Sequence, residues 1–149
     1  WITLANQLNE LAARPDIDGI VVTHGTDTLD ETAYFLNLTV YTQKPVVLTG
    51  AMRPATATSA DGPFNLYQAV CLAASDDARG QGVMAVFSNT IYSGRDIQKI
   101  ITRQMHLIRT HSAAWDICRM RLRISFPEAL RHIPCSLFLL CAGWKVWRK

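Results

Sequence analysis

Apolar residues follow two spacings along the first hundred positions. Over residues 1–13, Ile2, Leu4, Ala5, Leu8 and Leu11 recur at the interval of an amphipathic helix, which Pro15 stops. From Ile17 to Thr23 the pattern becomes a continuous run around Ile20-Val21-Val22-Thr23, predicting a strand buried on both faces. Leu29 to Val40 returns to helical spacing, and Thr28-x-x-Glu31 predicts a capping box at its start. Pro45-Val46-Val47-Leu48-Thr49 reads as a second strand ending at Gly50. A polar stretch from Ala51 to Gly62 leads to Pro63, which suits the first turn of a helix through Leu66, Ala69, Val70, Leu72 and Ala73. Gly82 then opens a third strand, Val83 to Phe87.

Strands joined by helices run parallel, so these elements predict an α/β fold. The expected architecture is a three-layer parallel sheet with helices on both faces, flavodoxin-like or Rossmann-like. A length of 149 residues suits one domain, and 49% hydrophobic with 18% charged residues excludes a disordered chain. No apolar run reaches the roughly 20 residues of a membrane span. Leu137 to Gly143 is too short and is bordered by Lys145, Arg148 and Lys149, so no membrane partner is expected. Cysteines at 71, 118, 135 and 141 lack C-x-x-C spacing and signal no zinc or redox site. The first residue is Trp1, with no signal peptide before the first helical pattern. The chain is therefore expected to start inside something longer, and its ends leave the compartment open.

Charge divides the chain. Residues 1–99 hold six Lys/Arg and ten Asp/Glu, a net −4, whereas residues 100–149 hold nine and two, a net +7. The second part also takes three of the four Trp, three of the four Cys and three of the four His. A basic arm for nucleic acid would produce such a charge break. So would two halves that were never selected together. The tail lacks any recognisable binding motif, and no nucleic-acid partner is expected.

Ligands of open α/β sheets bind beyond the carboxyl ends of the strands. Three polar clusters fall there: Thr23-His24-Gly25-Thr26-Asp27-Thr28, then Gly50-Ala51-Met52-Arg53-Pro54, then Ser88-Asn89-Thr90 running on to Gly94-Arg95-Asp96-Ile97-Gln98-Lys99. Thr26 and Asp27 lie at a helix N-terminus, where backbone N–H groups favour negative charge. A Thr hydroxyl serves as nucleophile or proton relay when a nearby ammonium lowers its pKa and a carboxylate orients that ammonium. Lys99 is the lysine placed to reach that edge, so Thr26, Asp27 and Lys99 form a candidate relay. On spacing alone the plainer reading prevails: Thr26 and Thr28 as caps, Asp27 and Lys99 as solvated surface charges. His24 has no second His or Cys near it in sequence to make a metal site, and Gly25 and Gly50 are isolated, so no phosphate cradle is read. Asn37-Leu38-Thr39 matches a glycosylation triplet but falls mid-helix, and Ser59-Ala60-Asp61-Gly62-Pro63 reads as a helix start with Asp61 near the cap.

Val22-Thr23-His24-Gly25-Thr26-Asp27-Thr28, followed by Glu31-Thr32-Ala33-Tyr34-Phe35-Leu36, resembles the second signature of the L-asparaginase family. Three further segments agree in order and spacing: Lys44 to Pro54, Ser59 to Leu66, and Gly94 to Lys99. The likeness covers nearly all of residues 1–99, and Asp61-Gly62-Pro63-Phe64-Asn65-Leu66 resembles the periplasmic type II branch. The resemblance implies an N-terminal asparaginase α/β domain, here incomplete. It implies hydrolysis of L-asparagine to L-aspartate and ammonia, with weaker action on L-glutamine, no metal or organic cofactor, a homotetramer, and a periplasmic or secreted location. Carried over, Thr26, Asp27 and Lys99 match the family's catalytic Thr and its Asp and Lys partners. Asp27 and Thr26 would contact the substrate, with Asp27 on its α-ammonium group, and the Ala51 carbonyl would face its amide.

Two parts of the family pattern are missing. A Thr-Gly-Gly-Thr-Ile-type segment, which carries the Thr that attacks the amide, does not occur in these 149 residues. The tail after Lys99 does not resemble the family's smaller C-terminal domain. Met and Trp have single codons, which fixes parts of the tail's nucleotide sequence. Read one nucleotide early, Gln104-Met105-His106-Leu107-Ile108 permits Asp-Ala-Phe-Asp, and Ala114-Trp115-Asp116-Ile117-Cys118 permits Leu-Gly-Tyr-Met; both resemble asparaginase segments. The expectation is a frameshift between about Ile101 and Met105. Residues 1–99 would then be a partial N-terminal domain and 100–149 an out-of-frame, poorly ordered tail exposing Phe138, Leu139, Leu140 and Trp144. Such a chain is expected to be inactive alone. The alternative is a catalytically dead binding or interaction remnant with the same fold.

Overall fold

A computed structural model describes residues 1–99 and the backbone of the strand segments 108–109, 115–116 and 137–141. Helix α1 spans Ile2–Ala13 and is followed by strand β1, Gly19–Thr23. Helix α2 is Leu29–Thr39, β2 is Val46–Thr49, and α3 is Gly62–Ala73. A single 3₁₀ turn at Asp76–Ala78 leads to β3, Val83–Phe87. Strands β4, Thr90–Ser93, and β5, Gln98–Lys99, follow. The remaining segments are β6, Ile108–Arg109, β7, Trp115–Asp116, and β8, Leu137–Cys141.

Two sheets form, a six-stranded one in the order β7-β4-β3-β2-β1-β8 and the small pair β5-β6. Strands β8, β1, β2 and β3 are mutually parallel, with Val22 opposite Leu48 and Leu48 opposite Ala85. Side chains alternate across these strands, which explains their unbroken apolar runs. Ile20, Val22, Val46, Leu48, Val83 and Ala85 face α1 and α2, where Leu8, Ala33 and Leu36 complete one core. Val21, Val47, Met84 and Val86 face α3 and meet Ala69 and Leu72 in a second. Helices on both faces of the sheet give the expected three layers.

The sheet is mixed where a parallel one is expected, because β4 returns antiparallel beside β3 and β7 pairs antiparallel with β4. The return turn consists of Ser88 and Asn89, both at positive φ (47° and 64°). Two central residues of this kind make the type I′ turn whose twist matches a hairpin. Ser-Asn is a weaker signal than Asn-Gly, which is why the sequence pattern reads this stretch as a loop. Side chains of α3 hold the turn: Asn65 Oδ1 accepts the Ser88 N–H at 3.2 Å, and Gln68 Oε1 accepts that of Asn89 at 3.3 Å.

Two expected helix caps are not made. Thr28 caps α2 by position without a side-chain hydrogen bond, at φ −126° and ψ 23°, outside the extended region a capping hydroxyl needs. The Glu31 N–H is taken instead by Asp30 Oδ1 at 3.2 Å. Asp61 stands at the start of α3, but its carboxylate turns back to the Met52 and Arg53 N–H groups at 3.0 and 2.9 Å. The Asn37-Leu38-Thr39 triplet falls in the last turn of α2, where Asn37 Oδ1 accepts the Val83 N–H at 3.1 Å, a structural contact with β3. No helix among the described residues is long and apolar enough to cross a membrane. The expected order of the tail, and the exposure of Phe138, Leu139, Leu140 and Trp144, lie outside the described residues.

Candidate active site

Strands β1 and β2 end side by side, and the segments leaving them are packed back to back. His24 N–H donates to the Thr49 carbonyl at 2.8 Å. A Cβ on Gly50 would stand 2.3 Å from the His24 carbonyl oxygen, so only glycine fits there. His24 is pinned by both ring nitrogens. Gly25 O is purely an acceptor, so Nδ1 donates to it at 2.6 Å, and Nε2 then accepts from the buried Thr32 hydroxyl at 3.1 Å. Locked between the strand and α2, His24 is an architectural residue.

Thr26 and Asp27 follow at the head of α2. Lys99, more than 70 positions later, enters from β5. Its Nζ donates to Thr26 Oγ1 at 3.1 Å and to Asp27 Oδ1 at 2.7 Å. Thr26, Asp27 and Lys99 are therefore brought together. Exposure divides the three: the Lys99 side chain is 17% exposed and that of Asp27 is 94% exposed. An ion pair with one partner in solvent contributes little to stability. Its effect on the half-covered Thr26 hydroxyl is local, since an ammonium donating to a hydroxyl oxygen favours the deprotonated form. Thr26 and Lys99 share a narrow pocket with Asp30, walled by the apolar side chains of Leu29, Met52, Phe87 and Ile97. Low polarity there strengthens the ammonium's field at Thr26.

The hydrogen bond from Lys99, with its charge, holds the Asp27 carboxyl below the usual Asp range, burial acting weakly against it. We predict an Asp27 midpoint below that of an ordinary Asp, read by carboxyl ¹³C NMR, and a return to the ordinary value in Lys99→Met. A lowered folded value means that the favourable contact is fully present above the ordinary pKa. It is lost as pH falls through the lower folded one.

Ala51 lies beside this pocket. With Gly50, Gly62, Leu66, Thr23, His24, Gly25 and Thr49 it lines an open cleft of about 320 Å³ at the carboxyl ends of β1 and β2. Asn65, which sequence reading passes over, ties this edge together. Its Nδ2 donates to the Gly50 carbonyl at 2.9 Å and to Asp61 Oδ2 at 3.0 Å, while its Oδ1 holds the Ser88 turn. It is 1% exposed. The four-residue step from Asp61 to Asn65 was the available signal, since it puts both on one face of α3. Burial pushes the Asp61 carboxyl upward, but the N–H groups of Met52 and Arg53 outweigh it and the net shift is downward. No cluster of metal-ligating side chains occurs among the described residues.

The chain is similar to known proteins in both sequence and fold. The family model "Asparaginase, N-terminal" matches residues 1–120. The "Glutaminase-asparaginase" of Acinetobacter glutaminasificans is 53% identical over 105 residues, 70% of this chain and 32% of its own. The Haemophilus influenzae protein named "Probable L-asparaginase periplasmic" is 54% identical over 102 residues, 68% of this chain and 29% of its own. Among solved structures, the "Probable Cytoplasmic L-asparaginase" of Campylobacter jejuni superposes with a TM-score of 0.71 at 50% identity, covering 74% of this chain and 35% of that one. The chain thus spans about a third of the length of the relatives it matches. By sequence match and by fold, this chain belongs to the asparaginase family.

Proposed function

We propose that residues 1–99 are the part of an L-asparagine amidohydrolase that carries its Thr-Asp-Lys relay. The reaction is L-asparagine and water to L-aspartate and ammonia, with L-glutamine a poorer substrate. One observation carries this reading: a single, largely covered ammonium donates to both the Thr26 hydroxyl and the Asp27 carboxylate. While Lys99 keeps all three protons it has no lone pair to offer. Its first contribution is therefore electrostatic, holding Thr26 Oγ1 and leaving the hydroxyl hydrogen free. At rest the proton stays on Lys99 and Asp27 is ionised; its transient, uphill transfer to Asp27 turns Lys99 into an amine that takes the Thr26 proton, which activates Thr26 or a water beside it. The exposed second oxygen of Asp27 remains available to the substrate's α-ammonium group, and the Ala51 carbonyl faces the amide nitrogen from the neighbouring cleft.

The 149-residue chain alone is inactive in this reading, because the Thr-Gly-Gly-Thr-Ile-type segment and the C-terminal domain do not occur in it. Residues 100–149 are an out-of-frame tail in this reading, supported by the change from a net −4 before residue 100 to a net +7 after it. The complete enzyme is a homotetramer. Relatives' names point to both the periplasm and the cytoplasm; the Asp61 to Leu66 segment favours the periplasm for this one. The cleft beside Ala51 favours a second reading, a binding remnant that holds the amino acid without chemistry. Ammonia release from L-asparagine by the purified chain, with Lys99→Met as control, tests both. We expect no release from either. Release that the substitution abolishes would make Thr26 or a water sufficient and refute inactivity. Calorimetric binding of L-asparagine without release would select the remnant.

A further inference from the structure

Lys99 carries the site from a strand of only two residues, Gln98–Lys99, whose ladder runs outward to β6. Its backbone is fastened to the helix that follows Thr26 and Asp27 by a contact from across the chain: the Lys99 N–H donates to Asp30 Oδ2 at 3.3 Å. The other oxygen of the same carboxylate accepts the Glu31 N–H of α2 at 3.2 Å. Asp30 thus joins the first turn of α2 to the residue supplying the ammonium, and it lines the pocket that Thr26 and Lys99 share. We infer that Asp30 is a positioning residue, which sets the Lys99 backbone so that its ammonium reaches Thr26 and Asp27 together. This inference rests on the proposed relay for its catalytic meaning, but its geometry stands apart from any turnover.

The physical case is one of reach. A lysine side chain has four rotatable bonds, and its ammonium finds two acceptors at once only from a fixed backbone origin. Misplacing a reacting group by about 1 Å costs on the order of 100-fold in rate. Among the described residues, the charged groups around Asp30 are Glu31 on the same turn, Asp27 just before it and Lys99 opposite. Burial pushes the Asp30 carboxyl upward, but hydrogen bonding with Glu31 and from the Lys99 N–H prevails and holds it ionised at lower pH.

Carboxyl ¹³C titration of Asp27 in the full 149-residue chain separates positioning from charge. Removing a carboxylate three residues away leaves Asp27 with one fewer like charge, which by itself lowers its midpoint. If Asp30 positions Lys99, Asp30→Ala instead raises the Asp27 midpoint, most of the way to its value in Lys99→Met. Asp30→Asn keeps an acceptor oxygen and stays near the wild type. An Asp27 midpoint that is unchanged or lowered in Asp30→Ala overturns the inference, as does Asp30→Asn behaving like Asp30→Ala. Should Asp30→Ala fail to fold, the wild-type Lys99 amide proton supplies the reading. It must titrate with the Asp30 carboxyl, and an amide that does not follow it refutes the contact. Ammonia assays test the relay separately, so failure of one reading is not mistaken for failure of the other.

Discussion

A chain extended upstream with a Thr-Gly-Gly-Thr-Ile-type segment, and continued in the frame proposed above, is expected to release ammonia from L-asparagine, with Lys99→Met lowering its kcat about 10²–10⁴-fold. That range is what a positioned proton-transfer group supplies, equivalent to about 3–5 kcal/mol of barrier. The loss should fall on kcat more than on KM, because the Lys99 ammonium touches Thr26 and Asp27 and in the proposed relay would act on the developing alkoxide. Lys99→Arg refines the test. A guanidinium keeps the charge but never deprotonates in a protein, so it cannot accept the Thr26 proton. Steady-state kinetics should place it close to Lys99→Met. An arginine variant near wild-type kcat would show that charge alone suffices, and the two-step proton transfer would be wrong.

Gly50→Ala is expected to destabilise the chain by about 3 kcal/mol, at the upper end of ordinary overpacking. The added methyl would lie 2.3 Å from the His24 carbonyl oxygen. That oxygen is backbone and cannot rotate away, and the His24 N–H to Thr49 carbonyl bond holds the two segments at that spacing. Relief comes only by parting the ends of β1 and β2. Gly25→Ala is the control, since its Cβ would meet nothing within 4 Å. In urea the Gly50 variant should lose about 1 M or more in midpoint, with the Gly25 variant close to wild type. Equal midpoints would mean that the two segments are not packed against each other.

Much of this arrangement was legible in the sequence, for definable reasons. Val83 to Phe87 and the run around Val21 announce strands because both faces of a central parallel strand are apolar, so tertiary packing and local propensity agree there. Pro63 and Pro15 bracket helices through the geometry of the ring. The antiparallel β4 was not legible, since Ser88 and Asn89 hold positive φ through side chains of α3 that are distant in sequence. Thr28 and Asp61 show the reverse failure. Each has the composition of a cap, but the backbone at Thr28 and the nearby Met52 and Arg53 amides claim them otherwise. Thr26, Asp27 and Lys99 could be suspected as a group from their positions at strand ends. Asp30 could not, because nothing local distinguishes a carboxylate that reaches across the chain from one in water, and Asn65 was marked only by its four-residue step from Asp61.

The separation of 72 residues between Asp27 and Lys99 also sets an order of events during synthesis. At about 5–20 residues per second, the ribosome delivers Lys99 roughly 4–15 s after Asp27. Strands β1 to β4 and the three helices all precede Lys99 in the chain, so these four strands can pair while Thr26 still lacks its ammonium. The ammonium thereby arrives only after the strands and helices that hold Thr26 and Asp27 in place.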